Sequence, residues 1–263
     1  MKLGAFITIT RPEERGDLHE ECIIQAKHFC DVVTVIDGKE SWPNEFNWPL
    51  IGQHFQAGYA STDADWVLHL DTDFIIHEND FDKIRDAIQK HESAPALSMY
   101  KYQFILPDRF NLKSRLVTLV NKAVYGDRIR FDGGGDLCQP TLDGVYITPD
   151  MVPETRVPIY NYEKPIKTKA QVMDDVGRMA RAWEQYFGEY KLGGPDDKSA
   201  YSEWVYMQVG RFNKPQQEVA LDFHPQVMRK VIRNLTPDQW GYDGFGYLKP
   251  NNYVKIVNKE GLA

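Results

Sequence analysis

In the first third of the chain, short apolar runs alternate with helix-period segments, and no other feature constrains the fold as strongly. Leu3 to Thr10 (LGAFITIT) is a β-branched run ended by Arg11-Pro12, which predicts a buried strand and then a turn. Asp17 to Cys30 puts Leu18, Cys22, Ile23, Ala26 and Phe29 on one helical stripe, and Val32 to Ile36 is a second apolar run closed by Asp37-Gly38. Ile51 to Ser61 reads as a helix, and Trp66 to Leu70 (WVLHL) as a third strand stopping at Asp71-Thr72-Asp73. Asp80 to His91 is helical again, with Phe81, Ile84 and Ile88 on one side. Strand, helix, strand, helix, strand with short joints predicts an α/β fold, a mostly parallel central sheet flanked by helices. Ligands of such sheets sit beyond the carboxyl ends of the strands. Here those ends are Thr8 to Arg11, Asp37-Gly38 and Asp71 to Asp73.

Beyond this region, Ala96 to Phe104 and Ala123 to Phe131 read as extended, the second leading into Asp132-Gly133-Gly134-Gly135-Asp136. Lys169 to Phe187 fits an amphipathic helix through Val172, Val176, Met179, Ala180, Trp183 and Phe187. Gly193 to Ala200 reads as an exposed loop, and the tail Trp240 to Tyr247 (WGYDGFGY) as either a lid or core packing. No repeat or linker divides the 263 residues, so one domain is expected, and 42% hydrophobic residues suffice for its core. The 31 Lys and Arg against 38 Asp and Glu, a net charge of -7, argue against a partner held chiefly through phosphates or an anionic membrane. With no apolar run of about 18 residues and no signal peptide, a soluble, cytoplasmic protein is expected. The three cysteines, Cys22, Cys30 and Cys138, read as reduced. A zinc site from His19, Cys22, His28 and Cys30 is disfavoured, because on a helix 19 and 22 share a face while 28 and 30 do not. The 13 Phe, 14 Tyr and 6 Trp exceed what a small core needs, so some are expected to line a site.

The strongest chemical signal is Asp71 and Asp73 at the end of the third strand. Residues i and i+2 of an extended chain point to one side, and two like charges there repel unless a cation or hydrogen bonds answer them. A hard divalent cation, Mg²⁺ or Mn²⁺, takes carboxylate oxygens and completes its shell on phosphates, which suits a nucleoside diphosphate. The plainer alternative is a solvated strand-end turn before the next helix.

These segments together resemble a family-2-like glycosyltransferase with a GT-A-type, Rossmann-like nucleotide-sugar-binding fold. The resemblance is carried by Phe6 to Ile88: the strand ending in Thr8 to Arg11, the strand ending at Asp37, the helix with Gln53 and Gly58, and DADWVLHLDTDFIIHENDFDKIRDAI. It continues more loosely through VPIYNYEKP and FHPQVM. The resemblance implies a nucleotide-sugar-binding half (1–92), then an acceptor half with a C-terminal helical and loop extension (93–263). It also implies a metal-dependent, inverting hexosyl- or pentosyltransferase using a nucleotide-diphosphate sugar and an acceptor hydroxyl of unknown identity. Asp71 and Asp73 would hold the cation on the diphosphate, and Asp37 would contact the nucleoside. Thr8 and Arg11 would shape the nucleotide pocket, with Gln53 and Asp71 also among the nucleotide-binding residues. Phe74 stands where many relatives carry Glu, and Asn161 where the family often has His. His224 is then the candidate for completing the metal shell, the alternative being a histidine hydrogen-bonded in the turn before Pro225.

An inverting transfer needs a carboxylate to take the proton of the acceptor hydroxyl. Asp136 is the first choice and Asp132 the second, since they flank glycines that permit close backbone approach. The alternative there is an exposed Asp-Gly hairpin. His69 reads as a core residue and His77 as part of the loop before the helix. Two other functions compete. A nucleotidyltransferase would share the early α/β plan, but ITITRPEERGD lacks the Gly-rich, basic loop expected of one; a non-catalytic sugar- or nucleotide-binding scaffold would keep the acidic pair for structure. A modified base in DNA is a further candidate acceptor, its phosphates tracked by Lys113 to Arg130 with Arg115, Lys122, Arg128 and Arg130.

Overall fold

Every residue of Trp66–Leu70 is buried, as expected of a strand covered on both faces of a sheet. A computed structural model describes residues 1–39, 45, 47–133, 139–190, 193–212 and 217–243. In chain order the first elements are β1 (Leu3–Ile9), α1 (Pro12–Arg15), α2 (His19–Phe29), β2 (Val32–Asp37), α3 (Trp48–Ser61), β3 (Trp66–Leu70), β4 (Phe74–Ile76) and α4 (Phe81–Lys90). There follow β5 (Ala96–Leu106), β6 (Arg109–Asn121), α5 (Lys122–Tyr125), β7 (Ile129–Gly133), β8 (Gln139–Leu142), β9 (Val145–Tyr146) and β10 (Glu154–Asn161). The chain continues through α6 (Lys169–Phe187), α7 (Asp197–Phe212), β11 (Gln217–Glu218), α8 (Gln226–Arg233) and α9 (Trp240–Asp243).

β1 pairs in parallel with β2 on one side and β3 on the other. Side chains alternate across a strand, so the two crossover helices find opposite faces. Leu3, Ala5 and Ile7 of β1 and Leu68 and Leu70 of β3 pack with Cys22, Ala26 and Phe29 of α2. Phe6 and Val67 pack with Ile51, Phe55 and Tyr59 of α3. α3 lies so close to β1 that a Cβ on Gly58 would sit 2.5 Å from the Phe6 ring, so only glycine fits. Asn47 caps α3 by accepting from the Leu50 N–H at 3.0 Å. Because the chain leaves β1 first toward β2 and then crosses to β3, the crevice at the carboxyl ends of β1 and β3 is the switch point at which such sheets bind ligands.

The sheet is mixed, in the order β2-β1-β3-β6-β5-β10-β4, with β11 on β6. β2, β1, β3, β5 and β10 run one way; β6 and β4 run the other. The long β5–β6 hairpin places an antiparallel strand between β3 and β5 that the expectation of extended segments did not include. A second sheet, β7-β8-β9, lays Ile129 and Phe131 on α3. The expectation that Ala123 to Phe131 is extended throughout is corrected. Asn121 accepts from the Val124 N–H at 3.2 Å and starts α5. Lys122 Nζ donates to the carbonyls of Tyr59, Ala60 and Thr62 at 2.8 to 2.9 Å, pinning this turn to the end of α3, and the strand begins only at Ile129. The 193–200 segment is a loop only as far as residue 196, after which α7 begins. α6 opens with a Thr168–Gln171 capping box and packs on α7 and Trp240 through Val172, Val176 and Ala180. Trp240 is buried and donates Nε1–H to Ile105 O at 3.0 Å, so this part of the tail is core; Phe245 lies outside the described residues. Among the described residues no helix is long and apolar enough to cross a membrane.

His224 is buried between strands and α8, not at the acidic pair. Nε2 lies 2.7 Å from Pro107 O and Nδ1 lies 2.7 Å from the Tyr162 hydroxyl. A carbonyl only accepts, so Nε2 carries the proton, and Nδ1 accepts from Tyr162. Both nitrogens are thereby committed, and the expectation that His224 completes a metal shell is corrected. Burial pushes its pKa down to about 4. A histidine depressed in the folded state contributes full stability above its unfolded value of about 6.5 and loses it as pH falls toward the folded value. Between pH 7 and 5 this amounts to about 2 kcal/mol. Urea unfolding of wild type and His224→Gln at both pH values should show the variant destabilised at pH 7 and the gap narrowing by that amount at pH 5. A gap independent of pH would contradict the neutral, buried imidazole.

Candidate active site

A cavity of about 730 Å³ opens at the carboxyl ends of β1, β3, β5 and β10. β1 contributes Thr8, β3 brings His69 and leads into Asp71 and Asp73, and β5 carries Lys101 and Gln103. Asn161 and Glu163 come from the end of β10, and Asp175, Arg178 and Trp183 from α6. The antiparallel pairing of Asn161 with Phe74 brings the end of β10 to the acidic turn. There Asn161 Nδ2–H donates to Asp73 Oδ2 at 2.5 Å. His69 Nε2 lies 3.3 Å from Asp71 Oδ1. Burial pushes both carboxyls up, but His69 beside Asp71 brings that group below its ordinary value. Asp73 is pushed up by burial and further by the charges of Asp71 and Glu163. Lys101 attracts both carboxyls at longer range and Arg15 adds to its effect on Asp71, but among the described residues no ammonium or guanidinium pairs with either within 4.0 Å. His69 is buried against Phe6 and Phe55, as expected of a core residue, and its Nε2 also reaches Asp71, just past the end of the strand.

Facing the pair is an ion cluster. Asp175 accepts from Lys167 at 2.6 Å, Arg178 at 2.5 Å and Lys164 at 3.3 Å. Asp17 accepts from Arg15 at 3.0 Å and Lys167 at 2.8 Å. Burial alone would raise Asp175, but Lys164, Lys167 and Arg15 hold it far below its usual range. Glu163 Oε1 lies 2.8 Å from Lys164; burial pushes this carboxyl up, and Lys164 reverses that, leaving it below its ordinary value. Among the cavity's five cations, Arg15, Lys101, Lys164, Lys167 and Arg178, four are tied to carboxylates. Among the described residues Lys101 has no carboxylate within 4.0 Å; its Nζ lies 5.5 Å above the Phe74 ring. No sequence motif announced these cations, because strand pairing and α6 bring them in from far along the chain.

Of the residues expected at the site, Thr8, Asp71 and Asp73 line the cavity together. Arg11 turns the chain just after β1 with a left-handed φ of 46° and does not line the cavity. Asp37 is exposed at the end of β2, opposite Ile9, and accepts from the Lys39 N–H at 2.9 Å. Gln53 is on the exposed side of α3. Asp132 is exposed and bound to Arg130 at 3.2 Å and the Thr141 hydroxyl at 2.6 Å, so the structure does not bring it to the acidic pair. Asp136 lies outside the described residues. His77 caps the turn before α4, its Nδ1 accepting from Asn79 N–H at 3.1 Å, as a loop position implies. In the basic stretch expected to track phosphates, Arg115, Lys122, Arg128 and Arg130 each have a partner within the chain, the last two at exposed positions. Arg115 pairs with Asp150 at 2.8 Å and Arg128 with Asp143 at 2.5 Å, while Arg130 holds Asp132 and Lys122 holds the α3 carbonyls.

No protein-family model matches the chain, and no curated protein matches it. Among solved structures, S. aureus TarS 1-349 is similar at 11% identity over 99% of this chain and 92% of that one, with a TM-score of 0.38. S. aureus TarS 1-349 in complex with UDP is similar at 10% identity over 100% of this chain and 83% of that one, also with a TM-score of 0.38. Likeness at that level establishes neither a family nor an activity.

Proposed function

We propose that the chain is a glycosyltransferase that passes a sugar from a nucleoside-diphosphate sugar to an acceptor hydroxyl, and that Asp71 and Asp73 are the residues that would hold a divalent cation. The observation that supports this most is the acidic pair at the switch-point crevice, which among the described residues has no ammonium or guanidinium within 4.0 Å and shares its cavity with Lys101, whose charge acts on both carboxyls without forming an ion pair. Among the described residues no three His, Cys, Asp or Glu side chains group around a common point. Two carboxylates alone suit Mg²⁺ or Mn²⁺, which take their remaining oxygens from phosphate and water. When bound, the cation would supply Lewis-acid neutralisation of the departing diphosphate.

The chain's own groups divide the remaining work. Lys101 faces the leaving group as a point charge. Asn161 orients Asp73, which fixes its amide so that Oδ1 faces elsewhere. That oxygen and Gln103 Oε1 are buried with no protein donor, and they sit on paired strand positions. Buried acceptors of this kind need donors, and the hydroxyls of a sugar supply them. Glu163 is the candidate general base among the cavity residues described, alongside Asp136, which lies outside them. Asp17 and Asp175 are held by two or more cations each, whereas Glu163 keeps one oxygen without a partner among the described residues. Lys164 holds it ionised and able to accept the hydroxyl proton. Asp37, at the neighbouring strand end, is the candidate nucleoside contact.

A nucleotidyltransferase fits less well. After β1 the amides of Arg15, Gly16 and Asp17 already donate to Arg11, Glu13 and Pro12 carbonyls at 2.9 to 3.3 Å, so they do not form a phosphate cradle.

Calorimetric titration of UDP, GDP, CDP and ADP should give binding for at least one, strengthened by Mn²⁺. Asp73→Asn should weaken it about tenfold while leaving the thermal midpoint at pH 8 equal or higher, since the ionised carboxylate is disfavoured in the fold. No binding of any diphosphate would favour the scaffold reading. Lys101→Met should weaken diphosphate binding with and without Mn²⁺; if Lys101 instead only screens the acids, the same change should tighten Mn²⁺. Glu163→Gln should lower turnover at least about a hundredfold, with diphosphate affinity within about twofold. Unchanged turnover of the donor in water would remove Glu163 from the role.

A further inference from the structure

The cavity wall continues to the surface along an aromatic path. Trp183 lines the cavity and packs against Phe187 at 4.5 Å and Trp48 at 6.0 Å. Tyr186 stacks on Trp48 at 4.5 Å and 26°, and Phe187 meets Trp48 at 5.3 Å. Trp48 is buried, yet Phe187 is 50% and Tyr186 37% exposed. These side chains form a shelf with its base in the core, its outer faces open, and its inner edge at the reaction cavity.

The electrostatics of the shelf select its ligand. It stands at the C-terminal end of the 19-residue α6, with no basic residue in the last turn. That end carries roughly half a negative charge. Glu184 lies within the same turn, and Arg181, one turn earlier, is already bound to Glu45 at 3.1 Å and Asp197 at 2.6 Å. A polyanion meets repulsion here. A neutral sugar fits, because aromatic faces pack against the apolar face of a ring and hydroxyls can donate to groups at a helix C-terminus.

We infer that Tyr186 and Phe187 form the docking surface for a neutral glycan acceptor, leading it past Trp183 to the cavity. Naming the glycan as acceptor rests on the glycosyl-transfer reading; the binding surface does not. The full chain should be applied to an array of neutral oligosaccharides, sulfated oligosaccharides and single-stranded DNA, alongside Phe187→Ala and Tyr186→Ala, with UDP titrated into all three proteins. Retention of wild type by neutral glycans, lost tenfold or more in either variant at unchanged thermal midpoint and unchanged UDP affinity, supports the assignment. Equal retention of the variants overturns it, as does retention only on sulfated glycans or DNA, or no retention at all. If neutral glycans bind through the shelf while wild type takes no nucleoside diphosphate, the shelf stands as a glycan site and the transfer reading falls.

Discussion

Two carboxylates in the turn that follows a buried strand are the constraint around which the cavity is arranged. Asp71 and Asp73 repel each other; His69 stands beside the one and Asn161 beside the other, and Lys101 acts on both only at longer range. A structural role would call for a guanidinium or ammonium against the pair, as Asp175 and Asp17 have against theirs. The chain has such cations within the same cavity and commits them to the other carboxylates. Only Lys101 remains, set on the Phe74 ring and without a carboxylate within 4.0 Å among the described residues. The cavity therefore separates its charge into a neutralised cluster, which holds shape, and an unneutralised part suited to a ligand with charges of its own.

The neutralised cluster is also what joins the two parts of the chain. Lys167 bridges Asp17, beside α1, to Asp175 on α6, and Gln171 Nε2 donates to Glu14 O at 3.1 Å. Ion pairs this buried are costly to form and strongly destabilising when one partner is lost. Together with the packing of Val172, Val176 and Ala180 on α7 and Trp240, they fix the relation of α6 to the switch point.

The first third was legible because its signals are local. Apolar runs and helical stripes of a few residues predicted β1, α2, β2 and β3 almost to the residue, and the two acids just past the third strand marked Asp71 and Asp73, although the chain there turns rather than staying extended. Lys101, Glu163 and Asp175 were not legible, because they reach the acidic pair only through β5–β10 pairing and the docking of α6, contacts between residues far apart in sequence. His224 was misread for a related reason. A histidine before a proline looks available, and only the fold shows a carbonyl and a phenol claiming both its nitrogens. β5 was legible as Ala96 to Phe104, but β6 escaped because its charged residues, among them Lys113 and Arg115, masked the strand.

α6 acts as a ruler between the two kinds of chemistry. At about 1.5 Å per residue, Trp183 lies roughly 12 Å along the axis from Asp175 and Phe187 roughly 18 Å. The amino end of the helix is anchored by ion pairs at the charged half of the cavity, and its carboxyl end carries the aromatic rings out to solvent. Since a helix of this length is rigid and both ends are packed, the distance between the charged half and the shelf is set by residue count alone. Inserting or deleting a residue between Asp175 and Trp183 would turn the rings by about 100° and take them off the cavity wall. The spacing of charge and aromatic side chains along this one helix thus belongs to the site as much as the acidic pair does.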